Sequence, residues 1–479
     1  MQWDVFITHT RDDAADVARP LATALRRHGL GVLLDAQSLA PGDSVRRRVE
    51  EGLARAGWGV LVISPHLLQG EGPRAELDGL LAREIGGERV ILPVWHGVTG
   101  ADVARRAPLL AARLAIGTEG GIDAAGEAVL AAAGRPGDEP HRTALPAIWR
   151  SMVENPGFSL TEVHQHLAQP ESYAGQSIGG FVLRELVGVG GSGAVFRAMH
   201  AALGRQVALK LFFPFADEHA RVTEATERAV RGISCLRHPG IAALLDYGYV
   251  RFGIGAAPYL AYELVDGQPL PAWSRALQDE CDASGGRALL ARRLDAAIAA
   301  AQALEAAHGC HAVDGVEGGA AGVLHGDLKP SNVLVRRDGE QPVLLDFMMP
   351  GIQHLAAERL DRWNGWEKDM EGLYQFHVPV HAVMGAPGYV APELEADGIV
   401  TPASDVYALG RIFHDLFWPD APSPRSTEGA EAEVGALVAA MTAARPGDRP
   451  ASAADVVSRL QRIRAAHPAR ARSGASAHA

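Results

Sequence analysis

The chain has 479 residues, 47% of them hydrophobic and 21% charged, with a formal net charge of −12 at pH 7. That length accommodates two or three domains, each with its own core. The acidic balance excludes the broad basic footprint of a nucleic-acid binder, and no apolar run reaches the length of a membrane span.

Met1-Gln2 leads straight into an apolar strand with no basic leader, so no signal peptide is expected and the protein reads as cytoplasmic. Trp3–Thr8 is the first predicted strand. A helix follows from Asp16 to His28, with Val17, Leu21 and Leu25 at helical spacing and Gly29 as its stop. Gly31–Asp35 is the second strand and Ala36–Gly42 a loop. Asp43 or Ser44 caps a helix through Ala56. Gly59–Ile63 is the third strand, Arg74–Ile85 a helix, Arg89–Val94 the fourth strand and Arg113–Ile116 a weak fifth. Such alternation predicts a parallel, helix-covered sheet, in which ligands bind beyond the carboxyl ends of the strands. Those ends carry Thr8, His9, Asp35 and Ser64, with Glu76, Trp95 and His96 after strands three and four. Singly, each reads more simply as a cap, turn or surface residue; together they outline one cleft.

Trp3-Asp4-Val5-Phe6-Ile7-Thr8-His9, Gly42-Asp43-Ser44, Val62–Leu68, Glu76–Gly86 and Val90–His96 give residues 1–134 a combination that resembles a bacterial TIR (Toll/interleukin-1 receptor) domain. The resemblance implies an α/β flavodoxin-like fold, self-association through the loop at 36–44, and NAD⁺ as a substrate. In that cleavage Glu76, at the family's catalytic position, would stabilise an oxocarbenium-like ribose. Gly72 stands where the family usually has tryptophan, which argues against the cleavage and for an associative role.

Residues 135–178 read as a linker. Arg135–Pro140 is turn-rich and charged, Ala147–Val153 and Leu160–Leu167 are short helix candidates, and no chemistry is visible.

From 179 to 465 the motifs are denser. Gly188-Val189-Gly190-Gly191-Ser192-Gly193-Ala194-Val195 reads G-x-G-x-x-G-x-V between two strands, so backbone N–H groups can approach phosphates at Gly188, Gly190 and Gly193. Val207-Ala208-Leu209-Lys210 follows, with Lys210 placed to meet the α- and β-phosphates. Downstream, His325-Gly326-Asp327-Leu328-Lys329-Pro330-Ser331-Asn332 precedes the strand Val333–Val335, and Val343–Leu345 runs into Asp346. Phosphoryl transfer needs a carboxylate beside the attacking hydroxyl, a cation on the moving phosphate, and oxygen ligands for Mg²⁺. Asp327, Lys329 and the pair Asn332 and Asp346 supply these.

These motifs resemble those of eukaryotic-like Ser/Thr protein kinases, implying an α+β two-lobed domain that uses ATP and Mg²⁺. The resemblance implies that Glu227 (or Glu224) orients Lys210, that Tyr262 is the gatekeeper, and that Glu263 and Val265 offer backbone groups to adenine. It also implies a Glu393–Arg449 ion pair behind Gly385–Glu393, and a large helix beginning near Asp405. Three positions depart from the family. Gly326 replaces the arginine beside the catalytic-loop histidine, Met348 replaces the glycine after Asp346-Phe347, and Ala386 replaces a threonine. From Phe347 through Val390 there is no Ser or Thr, so switching by Ser/Thr phosphorylation of that segment is not expected. The tail 466–479 is small, polar and expected to be disordered. Cys235, Cys281 and Cys310 lie far apart without a C-x-x-C pair, which suggests neither a disulfide framework nor a zinc site.

The expectation is a Ser/Thr protein kinase that phosphorylates protein substrates and is assembled by TIR self-association or by another TIR protein. One rival makes the TIR half an NAD⁺ glycohydrolase effector regulated by the kinase half. The other is a non-catalytic ATP-binding adaptor.

Overall fold

The computed structural model describes residues 3–35, 52, 55–69, 91–111, 113, 115–133, 146, 148–149, 160–190, 192–201, 203–213, 215–216, 226–227, 230–252, 255–281, 286–310, 322–347, 388–397, 400–419 and 429–468. The chain divides into two units, one of Met1–Cys235, Ala243–Leu264 and Pro350–Ala356, the other of Leu236–Ala242, Val265–Met349 and Ala357–Ala479. Glu76, Gly72, Glu224, Met348, Ala386, the loop at 36–44, the helix expected at 74–85 and the last eleven residues of the tail, 469–479, lie outside the described residues.

The first unit opens with β1 (Trp3–Thr8), α1 (Arg19–Arg27), β2 (Val32–Leu34), β3 (Ala56–Ile63), α2 (Pro65–Gln69), β4 (Ile91–Trp95), α3 (Gly100–Arg106), α4 (Pro108–Ala111), β5 (Ile116–Gly117) and α5 (Ile122–Ala133). The strands are parallel in the order β2-β1-β3-β4-β5, the doubly wound flavodoxin-like arrangement. Val5, Ile7, Val60, Val62 and Val94 of the sheet pack with Leu21, Leu25 and Val129 of the helices. Burial on both faces explains why these strands read as continuous apolar runs rather than alternating ones. The first helix differs from its expected form. Ala14–Ala18 is a π-helical segment, with Ala18 N–H donating to Asp13 O (3.0 Å), and α1 restarts over Arg19–Pro20. Pro20 has no N–H to continue a ladder, which accounts for the restart. The fifth strand is displaced to Ile116–Gly117, and Arg113 is buried with its guanidinium 5.2 Å from the centroid of the Tyr247 ring.

The same unit continues with α6 (Leu160–Leu167), β6 (Ser177–Ile178), β7 (Phe181–Gly190), β8 (Gly193–His200), β9 (Gln206–Phe212), β10 (Phe215–Ala216), β11 (Leu244–Phe252) and β12 (Gly255–Glu263). These strands form an antiparallel sheet in the order β10-β12-β9-β8-β7-β6, with β11 on β12. Its core holds Phe181, Phe196, Leu209, Leu211 and Tyr259, joined by Ile148, Trp149, Val163, Leu167 and Tyr173 from the connecting segment. Composition alone made that segment a tether, yet Trp149 is fully buried.

In the second unit β13 (Gly267–Pro269), α7 (Leu270–Cys281) and α8 (Gly286–His308) precede β14 (Val333–Arg336) and β15 (Pro342–Leu344). Among the described residues four helices follow: α9 (Pro392–Asp397), α10 (Pro402–Phe417), α11 (Gly429–Met441) and α12 (Ala453–Ala466). The helix expected near Asp405 is α10, capped reciprocally by Thr401 and Ser404 with Pro402 in its first turn. Ala-rich α8 buries Ala297, Ala300, Ala301 and Leu304; small side chains let neighbouring helices approach closely. Cys235 and Cys310 are each disulfide-bonded, correcting the expectation drawn from their spacing. Separation along the chain carries no information about approach in space. Among the described residues no helix is long and apolar enough to cross a membrane.

Candidate active site

The turn between α8 and β14 is held by a buried carboxylate. Asp405 Oδ1 accepts from Gly326 N (2.8 Å), and Oδ2 accepts from His325 N (2.8 Å) and His308 Nε2 (2.9 Å). Three donors on one carboxylate fix the backbone from which Asp327 projects. Gly326 takes φ 74°, a left-handed backbone that costs a side-chain-bearing residue and costs glycine nothing. His325 is buried, and burial lowers its pKa despite the opposing pull of Asp405, Asp327 and Asp346. The neutral ring donates from Nε2 to Leu345 O (2.9 Å) and accepts Asp327 N–H at Nδ1 (3.3 Å), and it lies against Phe347 with centroids 4.5 Å apart.

Asp327, Lys329 and Asn332 come together. Asp327 Oδ2 accepts from Lys329 Nζ (2.7 Å), and Asn332 Nδ2 donates to Asp327 O (2.8 Å). Asp327 Oδ1 is buried and accepts no hydrogen bond among the described residues. A buried carboxylate oxygen with unused lone pairs suits a donor brought by a substrate hydroxyl. Leu345 N–H donates to Asn332 O (2.8 Å), tying the approach to Asp346 to the same turn. Asp346 takes φ 60°, a conformation that Asp tolerates better than most residues and that collects at functional positions. Asn332 commits its nitrogen to Asp327, so its amide oxygen is the atom left for a cation. Together with Asp346 it has the hard-oxygen chemistry that Mg²⁺ requires.

In the first unit, β7 and β8 form a hairpin with Gly190 opposite Gly193 and Gly188 opposite Val195. A Cβ on Gly193 would lie 2.2 Å from Leu211 O, so packing alone demands glycine there. Gly188 and Gly190 face open space. Their lack of side chains has no packing reason and suits close approach by a phosphate. Lys210 sits between Val195 on β8 and Leu260 on β12, its Nζ 5.0 Å from the centroid of the Phe212 ring. Glu227, the residue expected to orient Lys210, is buried on a helical turn with Oε2 3.6 Å from Arg231 Nη2. Tyr262 is buried on β12, at the expected gatekeeper place. The Glu263 N–H donates to Ala243 O (2.9 Å). Val265 begins the second unit and is buried there with Ala242 and Val343.

Glu393 and Arg449 make the expected pair, bidentate at 2.6 and 2.7 Å. Burial pushes the Glu393 carboxyl up, but the hydrogen bonds from Arg449 and from its own backbone, together with the guanidinium charge, hold the group below the usual range. The Tyr389 hydroxyl donates to Asp415, and burial first, then that carboxylate, raises its pKa to about 12.

Residues 181–462 match the protein kinase domain. The chain belongs to the protein kinase family. Residues 5–128 match the TIR domain, so TIR and kinase domains are fused in one polypeptide. Over 238 residues the chain is 32% identical to serine/threonine-protein kinase PknA of Mycobacterium tuberculosis, covering 50% of this chain and 46% of PknA. It is 28% identical over 275 residues to serine/threonine-protein kinase Pkn1 of Myxococcus xanthus, covering 57% of this chain and 33% of that one. The matched stretch therefore spans less than half of either relative. The solved kinase domain of Mycobacterium tuberculosis PknI aligns at 22% identity and TM-score 0.38, covering 61% of this chain and 98% of that one.

At the carboxyl ends of the TIR strands a second polar cluster is buried. Asp13, delivered by the π-helical segment, accepts from Thr10 Oγ1 (2.5 Å) and Ser64 Oγ (2.6 Å). His9 Nδ1 donates to Thr10 O (2.7 Å), and His96 Nδ1 bonds Thr118 Oγ1 (2.9 Å). Thr8 Oγ1, His9 Nε2 and Trp95 Nε1 are buried without a hydrogen-bond partner among the described residues. Sequence reasoning named Thr8, His9, Ser64 and Trp95 but missed Asp13, as it missed the anchoring role of Asp405. Asp405 lies in the first turn of α10, where an acid is an ordinary helix-start residue, so its place carried no signal of this role.

Proposed function

We propose that the chain is a cytoplasmic Ser/Thr protein kinase whose TIR domain assembles it for signalling. The observation that carries the catalytic part is the Asp327–Lys329–Asn332 cluster, with one carboxylate oxygen of Asp327 left open and Asp346 tied alongside. Asp327 Oδ1 would receive the hydrogen bond of a protein hydroxyl and orient it for attack. Lys329, held on the other oxygen of Asp327, would balance charge on the moving phosphoryl group. Lys210 and the backbone at Gly188, Gly190 and Gly193 would hold the nucleotide phosphates, while Glu263 and Val265 would meet the adenine. Asn332 and Asp346 would hold Mg²⁺, which would supply neutralisation of phosphate charge.

The test is autophosphorylation with ATP and Mg²⁺, comparing wild type with Asp327→Ala. Loss of the positioned carboxylate should slow transfer by about 10²–10⁴-fold while ATP still binds; equal rates would leave a non-catalytic adaptor. Self-association through the TIR domain would raise the effective concentration of kinase domains for one another. Removing residues 1–134 should then steepen the dependence of the rate on protein concentration.

A second reading is NAD⁺ cleavage by the TIR domain with Glu76. It is favoured by Thr8 Oγ1, His9 Nε2 and Trp95 Nε1, buried at the strand ends with no hydrogen-bond partner among the described residues. NAD⁺ consumption by wild type that disappears in Glu76→Ala would establish it; no consumption by wild type would end it.

A further inference from the structure

Two aromatic side chains from the segment between the domains end on the strands that carry the kinase's phosphate-binding groups. Trp149 is fully buried, its ring centroid 5.6 Å from that of Phe213 and 6.4 Å from that of Phe196. Its Nε1–H donates to Phe212 O (2.8 Å). Phe212 is two residues beyond Lys210 on β9; its ring lies 5.0 Å from the Lys210 ammonium, and it pairs across the ladder with Gly193, the last glycine of the phosphate loop. Tyr173 makes the matching contact on the other side of the loop. The register of β7 against β8 slips between Leu183 and Glu185 and again between Leu186 and Gly188. A slip of this kind takes backbone groups out of the ladder and bends the strand. The Leu186 N–H is bonded instead to Tyr173 Oη (3.0 Å), two residues before Gly188.

We propose that Trp149 and Tyr173 are positioning residues for phosphoryl transfer. They fix the two strand ends, beside Lys210 and beside Gly188, between which the nucleotide phosphates are gripped. Packing would have been met by any large apolar ring at either place. What packing does not require is a donor on one ring aimed at the β9 carbonyl and an acceptor on the other at the β7 amide. The two rings bond the backbone of Phe212 and Leu186, whereas the Glu263 N–H bonds Ala243 O, so the effect should fall on phosphates and spare the base. The inference rests on the kinase reading above and adds two residues from outside the family match, which begins at residue 181.

The full-length protein is titrated with ATP·Mg²⁺ and separately with adenosine, and the ratio of the two affinities is taken. Trp149→Phe and Tyr173→Phe keep the rings and remove one hydrogen bond each, so both should fold. Each should lower the preference for ATP over adenosine by about three- to tenfold, the worth of one buried hydrogen bond, with adenosine affinity unchanged. An unchanged preference in both variants overturns the proposal. So does a parallel loss of ATP and adenosine affinity with a lowered melting temperature, which is what packing alone would give. Wild-type protein that binds neither ligand removes the kinase reading itself, whereas a wild-type preference for ATP that both variants keep removes this inference alone.

Discussion

The buried histidine and the buried ion pair of the helical unit set the direction of its response to acid. Burial keeps His325 neutral when folded, so below an unfolded histidine value of about 6.5 the unfolded chain takes up a proton that the native ring refuses. Glu393 is depressed by Arg449, so its contribution is complete above the unfolded carboxyl value of about 4.3 and is lost as pH falls through the lower folded value. Urea midpoints should therefore be level from pH 8 to about 7, fall below about 6.5, and fall again below about 4; a midpoint that rises with acid contradicts both assignments. At this scale the site was legible where partners lie close along the chain. Asp327, Lys329 and Asn332 fall within six residues, and their spacing carried the chemistry. Asp405 and His308 reach the same turn from distant helices, and no local pattern connects them to it.

Elements were legible wherever burial on both faces made a strand an unbroken apolar run. Trp3–Thr8 is observed as read; the third strand starts three residues earlier, at Ala56, and ends at Ile63 as read, and the fourth ends one residue later, at Trp95. The π-helical segment was not legible, since its hydrogen-bond shift leaves the apolar spacing of Val17, Leu21 and Leu25 nearly intact. The glycine hairpin separates two kinds of glycine that look alike in the motif. Gly188→Ala adds a methyl group to open space; it should leave the melting temperature within about 2 °C and weaken ATP binding, because at most a few tenths to one kcal/mol of backbone preference changes. Gly193→Ala drives a Cβ to 2.2 Å from Leu211 O and should lower the melting temperature by several degrees as well. Thermal melts with and without ATP distinguish the two, and equal melting temperatures would refute the distinction.

Across the whole molecule, the connector is where composition misled. Arg135–Pro140 has the residues of a flexible joint, but a few residues later Trp149 is wedged between Phe196 and Phe213. One buried tryptophan outweighs several polar neighbours, because its loss costs about 3–5 kcal/mol. A fragment starting at Phe181 should accordingly melt lower and aggregate more than one starting at residue 141, as melting curves and size-exclusion chromatography would report; indistinguishable behaviour would refute it. Core residues of the antiparallel sheet are thus supplied from upstream of residue 181, where the kinase match begins. A recombination event that exchanged the front module would have to break before codon 146, or the recipient would inherit a kinase domain whose antiparallel sheet had lost Ile148 and Trp149 from its core.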